Sequence, residues 1–206
     1  LGGIQWRDGL APPDRGRGAT APVKEESEKI EVDLKDPVLA AFLAWLMPGL
    51  GHFYQGRTAK GALFLITILG TFITGVYLGG NSELGWGRVV YASWREGDKR
   101  LPFLCQIGVG LPSMPALIQA NRVRNGRPPL VGGFMAPPAM EGQQRRGEPT
   151  LSDLNKELHR FFELGTVYTM VAGLLNVLAI YDALSGPVIT PPAKKEEETE
   201  EESKEA

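Results

Sequence analysis

All 46 charged residues of this 206-residue chain lie outside four stretches that contain no Asp, Glu, Lys or Arg. These are Pro37 to Gly56, Gly61 to Ser82, Leu101 to Asn121 and Leu164 to Tyr181, with 20, 22, 21 and 18 residues. A helix needs about 20 apolar residues to cross about 30 Å of hydrocarbon. Charge segregated on that length scale points to lipid as the solvent of these runs, and so to a multi-span membrane protein. The averages conceal this, because 43% hydrophobic residues and a net charge of −2 would describe an ordinary soluble domain.

The charge-rich remainder mainly excludes functions. One cysteine, Cys105, leaves no disulfide framework, and two distant histidines, His52 and His159, leave no His-rich metal site. Acidic tails flank a middle of net +4, so no strongly basic face advertises nucleic acid. Residues 1–36 lack the apolar core of a signal peptide, so the first hydrophobic segment is expected to act as the insertion signal. No catalytic residue, cofactor or metal ligand is expected.

Residues 1–35 lack hydrophobic periodicity and are expected to be a disordered tail; the acidic run 188–206 is expected to be a second one. Between them, Asp36 and Pro37 suit a helix start, and Val38 to Met47 is continuously apolar. Pro48-Gly49-Leu50-Gly51 interrupts that run by removing a backbone donor. A kinked span over about 37–56 is therefore expected, in preference to a partial-depth segment whose freed backbone groups neighbouring helices must cover. After a short polar turn carrying Arg57 and Lys60, residues 61–80 form the clearest helix. Gly75 and Gly79 lie one turn apart on it, a spacing that lets another backbone approach.

The segment 101–121 holds Pro102, Pro112, Pro115, Gln106 and Gln119, and is expected inside the bundle, where neighbours can satisfy its polar groups. Trp86, Tyr91 and Trp94, just before it, suit the bilayer boundary. Residues 122–150 are rich in Gly and Pro and read as a flexible loop. Thr150 and Asp153 then suit a helix start, and Leu151, Leu154, Leu158 and Phe161 recur at helical spacing. This amphipathic helix, 151–163, is expected to run unbroken into the last span, about 164–183. Basic residues tie at nine on either face, and the loop 122–160, with seven of them, favours a cytoplasmic position for itself.

Catalytic patterns fail on chemistry. Tyr181-Asp182 is reminiscent of intramembrane aspartyl proteases, but no span holds an internal carboxylate to share a proton with it. Asp182 is expected to be a solvated helix-end residue. No span serine has a plausible histidine base.

The segment Ala44-Trp-Leu-Met-Pro-Gly-Leu-Gly-His-Phe-Tyr-Gln-Gly-Arg57, followed by Lys60-Gly61 and a hydrophobic helix, resembles the two-helix membrane module called the TM-two domain, with His52 where that module usually carries a basic residue. From about Lys35 to Pro187, including Gly108-Val-Gly-Leu-Pro112 and Ala172 to Ala183, the chain resembles an uncharacterised family of bacterial multi-pass membrane proteins. That resemblance implies a location, the bacterial inner membrane, and no activity.

The expected fold is thus an all-α integral membrane bundle of about four hydrophobic segments. Pro48, Gly49, Gly51, Gly75 and Gly79 are its kink and packing positions. Arg57 and Lys60 are candidates to contact lipid headgroups or a partner. Function is expected to be structural or interactive, through membrane lipid and through proteins met by 122–160 and the tails; a transporter or channel subunit is the alternative.

Overall fold

The computed structural model describes residues 35–95, 98–142 and 147–186; the two expected tails lie outside the described residues, save Lys35. The chain is mostly helical. Helices α1 (Pro37–Leu46), α2 (Leu50–Tyr54) and α3 (Thr58–Leu78) come first, then a two-residue-stranded hairpin, β1 (Trp94–Arg95) and β2 (Asp98–Lys99). Helices α4 (Pro102–Gln106), α5 (Met114–Arg124), α6 (Leu151–Leu158) and α7 (Arg160–Ser185) follow. Among the described residues, α3 and α7 alone are long and apolar enough to cross a membrane.

Helix α7 organises the rest. Its 26 residues rise about 39 Å. Phe162, Gly165, Thr169, Ala172, Asn176, Ala179 and Ala183 recur every three or four residues and are all buried, so one small-residue seam runs its length. The opposite face carries Val167, Val171, Leu174, Val177 and Leu178, all exposed. Helix α3 packs on the seam antiparallel: Lys60 at its start meets Asp182, while near its other end a Cβ on Gly75 would lie 2.8 Å from the Gly165 carbonyl. Gly79 leaves room for the Val89 side chain. The residues around Lys35, Arg57 and Asp182 thus share one end, here the terminal end, and residues 79–160 gather largely at the other, the loop end.

The first hydrophobic run is not a kinked span. Helix α1 opens as its sequence suggests, with Asp36 Oδ1 accepting from the Val38 and Leu39 amides, but it stops at Leu46, with Met47 extended. Gly49 takes φ +86°, a left-handed value open to glycine, and the chain reverses. Gly51 then lies against the Ala40 carbonyl; a continuous helix would hold the two about 16 Å apart. Tyr54 returns to the start of α1, where Lys35 Nζ sits 5.2 Å from its ring centre. The segment enters and leaves at the terminal end, because Pro48 ends the hydrogen-bond ladder and Gly49 allows the turn.

The third run is broken too. Helix α4 and the turn 107–109 run alongside α7 from the loop end: Arg100 meets Thr166, Gln106 meets Thr169 and Gly108 meets Asn176. At Gly110 (φ +83°, ψ −131°) the chain turns, its Cα pressed so closely on the Trp45 carbonyl that no side chain fits. Helix α5 then returns to the loop end.

Three further expectations are corrected. Tyr91 is fully buried rather than at a membrane boundary; its hydroxyl bonds Asp98. The connection 122–150, in its described part, packs onto the body, with Met135 and Ala136 buried. Gln119 holds it there: Nε2 donates to the Leu130 and Phe134 carbonyls, and Oε1 accepts from the Leu130 amide. Finally, α6 and α7 are separate helices, broken at His159 with φ +47° and ψ −129°. The break lets Leu154 and Leu158 of α6 join the core that also receives Phe162 of α7.

Candidate functional site

The two broken segments meet at one side chain. Ala44 is in the last turn of α1, and Gly108 is in the turn that extends α4. In a continuing helix their carbonyls would accept from residues 48 and 112. Both are proline and have no N–H. Asn176, fully buried in α7, supplies the missing donors: its Nδ2 lies 3.1 Å from the Ala44 oxygen and 2.9 Å from the Gly108 oxygen. One amide group with two hydrogens thus satisfies two carbonyls from half-helices that enter from opposite ends. Its own Oδ1 has no partner among the described residues. Gly173, one turn away, lets the Cys105 carbonyl approach so closely that a Cβ would not fit.

A second constellation closes the terminal end. Asp182 accepts from His52 Nε2 at 2.7 Å, Lys60 Nζ at 2.7 Å and Arg57 Nη2 at 3.2 Å. These three donors come from α2, the α2–α3 turn and α3, so a single carboxylate pins the whole turn to α7. Gln55 Nε2 adds a bond to the Ala183 carbonyl at 2.6 Å. His52 is fully buried, its ring 4.8 Å from that of Phe64, and its Nδ1 has no partner among the described residues. Asp182 is therefore not a lone solvated residue but the acceptor at the centre of a clasp. The cluster joins α2, the following turn and α3 to the end of α7 through side-chain hydrogen bonds.

At the loop end, cations are buried among rings and carbonyls. Arg100 Nη2 donates to the Val89 carbonyl at 3.0 Å and to Thr166 Oγ1 at 2.8 Å, and its guanidinium lies over the Tyr91 and Phe162 rings at 4.7 and 5.1 Å. Burial lowers its affinity for a proton, an effect that Tyr91 and Asp98 partly oppose. Burial likewise raises the Tyr91 hydroxyl well above the usual tyrosine range. Gln106 Nε2 donates to the Val89 carbonyl at 3.1 Å and Thr169 Oγ1 at 2.8 Å. Arg88 holds the Leu84 and Gly132 carbonyls.

Of the positions marked by sequence, Pro48, Gly49 and Gly51 form the reversal between α1 and α2, and Gly75 and Gly79 face α7 and Val89. Arg57 and Lys60 come together on Asp182. The sequence reading passed over Asn176, although an amide inside a charge-free run, together with a proline inside each of two other runs, is a visible signal of it. Residues 39–196 match a family of unknown function, DUF6677. The chain belongs to that family. The DUF6677 match takes in α1 to α7 except the first two residues of α1, and with them Asn176 and the whole Asp182 cluster. No curated protein and no solved structure matches the chain.

Proposed function

We propose that this DUF6677 chain is an integral protein of the bacterial cytoplasmic membrane that acts without catalysis, as a structural or interaction component. In this reading α3 and α7 cross the bilayer, and the segments 37–56 and 101–121 enter it from opposite sides to partial depth. The loop end faces water, with 122–160 on the cytoplasmic side, and protein partners are met through 122–160 and the tails.

One observation carries the membrane reading. Helix α7 buries mainly small and polar residues and turns large apolar ones outward, Leu178 being 66% exposed, and α3, although it buries Ile68 and Phe72, also leaves Leu63, Ile66 and Ile73 exposed, Ile66 at 72%. Water-soluble helices do the reverse, whereas lipid accepts such a surface and helices within it pack through small residues.

The test is fractionation of lysed cells expressing the untagged chain, followed by crosslinking in native membranes. The chain is expected in the membrane pellet, resisting carbonate and released by detergent. Crosslinked partners are expected to be lost when 122–160 is deleted. Recovery in the detergent-free supernatant would end the reading. A transporter or channel subunit is the second reading, favoured by the two half-helices whose carbonyl ends converge on Asn176. Ion flux through liposomes holding the purified chain, abolished by Asn176→Leu, would decide for it.

A further inference from the structure

Two cavities of about 370 and 330 Å³ adjoin at the loop end and share Arg95 and Arg124 in their walls. Arg127 lines the first, and Ser93 and Leu117 line the second. The charge there is lopsided: three guanidinium groups against one carboxylate, Glu148. Among the described residues the ion pairs all converge on Asp182, and none involves these arginines. Ser93 is 5% exposed, and its Oγ has no hydrogen-bond partner among the described residues. A buried hydroxyl left unpaired is destabilising, so its place on the wall of a basic cavity points to a ligand oxygen. Guanidinium forks match phosphate oxygens in pairs, which fixes the chemical class of that ligand.

The other wall decides between a free phosphate and a lipid one. Leu117 is 38% exposed, and Ile118 beside it on α5 is 57% exposed. Trp94, also lining the second cavity, is exposed at its rim, where an indole suits the bilayer boundary. An inorganic ion gains nothing from such a wall, whereas an acyl chain does. We propose that Arg95, Arg124 and Arg127, with Ser93 Oγ, bind the phosphodiester headgroup of an anionic membrane lipid whose chains leave along Leu117 and Ile118. The proposal rests on the membrane reading above and names a lipid site separate from Arg57 and Lys60.

The experiment uses the purified full chain in an uncharged detergent, offered phosphatidylglycerol, phosphatidylcholine or inorganic phosphate, with bound ligand counted by native mass spectrometry. Phosphatidylglycerol is expected to be retained, phosphatidylcholine not, and millimolar phosphate is expected not to displace the lipid. The triple variant Arg95→Gln, Arg124→Gln, Arg127→Gln is expected to weaken retention at least about tenfold, given the attraction each basic residue exerts on anionic lipid. Ser93→Ala should weaken it several-fold and, because it changes one atom, remains informative if the triple variant elutes as aggregate. Lys156→Gln with Arg160→Gln, which lowers charge elsewhere at the loop end, should leave retention unchanged. Equal retention by the triple and Ser93→Ala variants would overturn the site. Displacement by phosphate would overturn the lipid assignment. Recovery of the chain without detergent is scored in the fractionation and would sink the membrane reading independently.

Discussion

Removing the side-chain amide of Asn176 tests the central junction directly. Asn176→Ala strips the donor from both the Ala44 and Gly108 carbonyls, neither of which has another donor from its own helix. In water-soluble proteins each buried acceptor left unpaired costs about 1–3 kcal/mol. Two considerations reduce the total. Oδ1 is itself buried without a partner among the described residues, so its removal returns about as much as one orphaned carbonyl takes. Interhelical hydrogen bonds inside membranes average about 0.6 kcal/mol and reach about 1.7. A net loss of about 1–3 kcal/mol is expected, a shift of the unfolding equilibrium by about fivefold to 150-fold. The assay is denaturation in mixed micelles followed by circular dichroism, with the exposed Asn155→Ala as reference. Asn176→Leu separates donors from volume, since leucine fills the space but cannot donate. If Asn176→Leu is as stable as the unsubstituted chain within about 0.5 kcal/mol, a margin typical of neutral surface changes, the reasoning is refuted.

Two other perturbations address the ends. Asp182→Asn replaces a charged acceptor of three donors by a neutral one; with Asp182 one-third exposed, screening limits the expected loss to about 1–2 kcal/mol. Adding Lys60→Gln should then cost little more, since both act on one contact, and fully additive melting shifts would contradict the clasp. At the start of α6, the Thr150 amide and hydroxyl bond Asp153 and hold its carboxyl below the usual carboxylate range. A depressed carboxyl stabilises the folded state above its unfolded value, about 3.9, and that contribution is lost as pH falls through the lower folded value. The protection of amides in the first turn of α6, corrected for intrinsic exchange, should therefore fall below about pH 4. Thr150→Ala should flatten that dependence; an unchanged profile would contradict it.

Much of this architecture is visible in the sequence, and the limits have physical causes. Charge-free length marks α3 and the core of α7, because the length and apolar composition of a helix are both written in its local sequence. The break at Pro48 is equally plain, since a missing N–H is a local property. Its consequence was not: a kinked span and a reversal differ only in how φ and ψ settle at Met47 and Gly49, and that choice depends on Asn176, far along the chain. Tyr91 illustrates the same limit, because an amphipathic ring suits a membrane boundary or a protein core equally well until Arg100 and Asp98 are placed beside it. Asp182 looked solitary because its three partners lie more than 120 residues earlier.

The separation of Asn176 from Ala44 by 132 residues bears on how the chain is made. The ribosome delivers the first half-helix long before the group that completes it, and the second waits for the same arrival. On the proposed membrane reading, both remain until then at the translocon or at the lipid surface with open carbonyls, because hydrocarbon supplies no donor. On that reading biogenesis is completed from the C-terminal side, and a nascent chain halted before residue 176 lacks the side chain that joins its two broken segments.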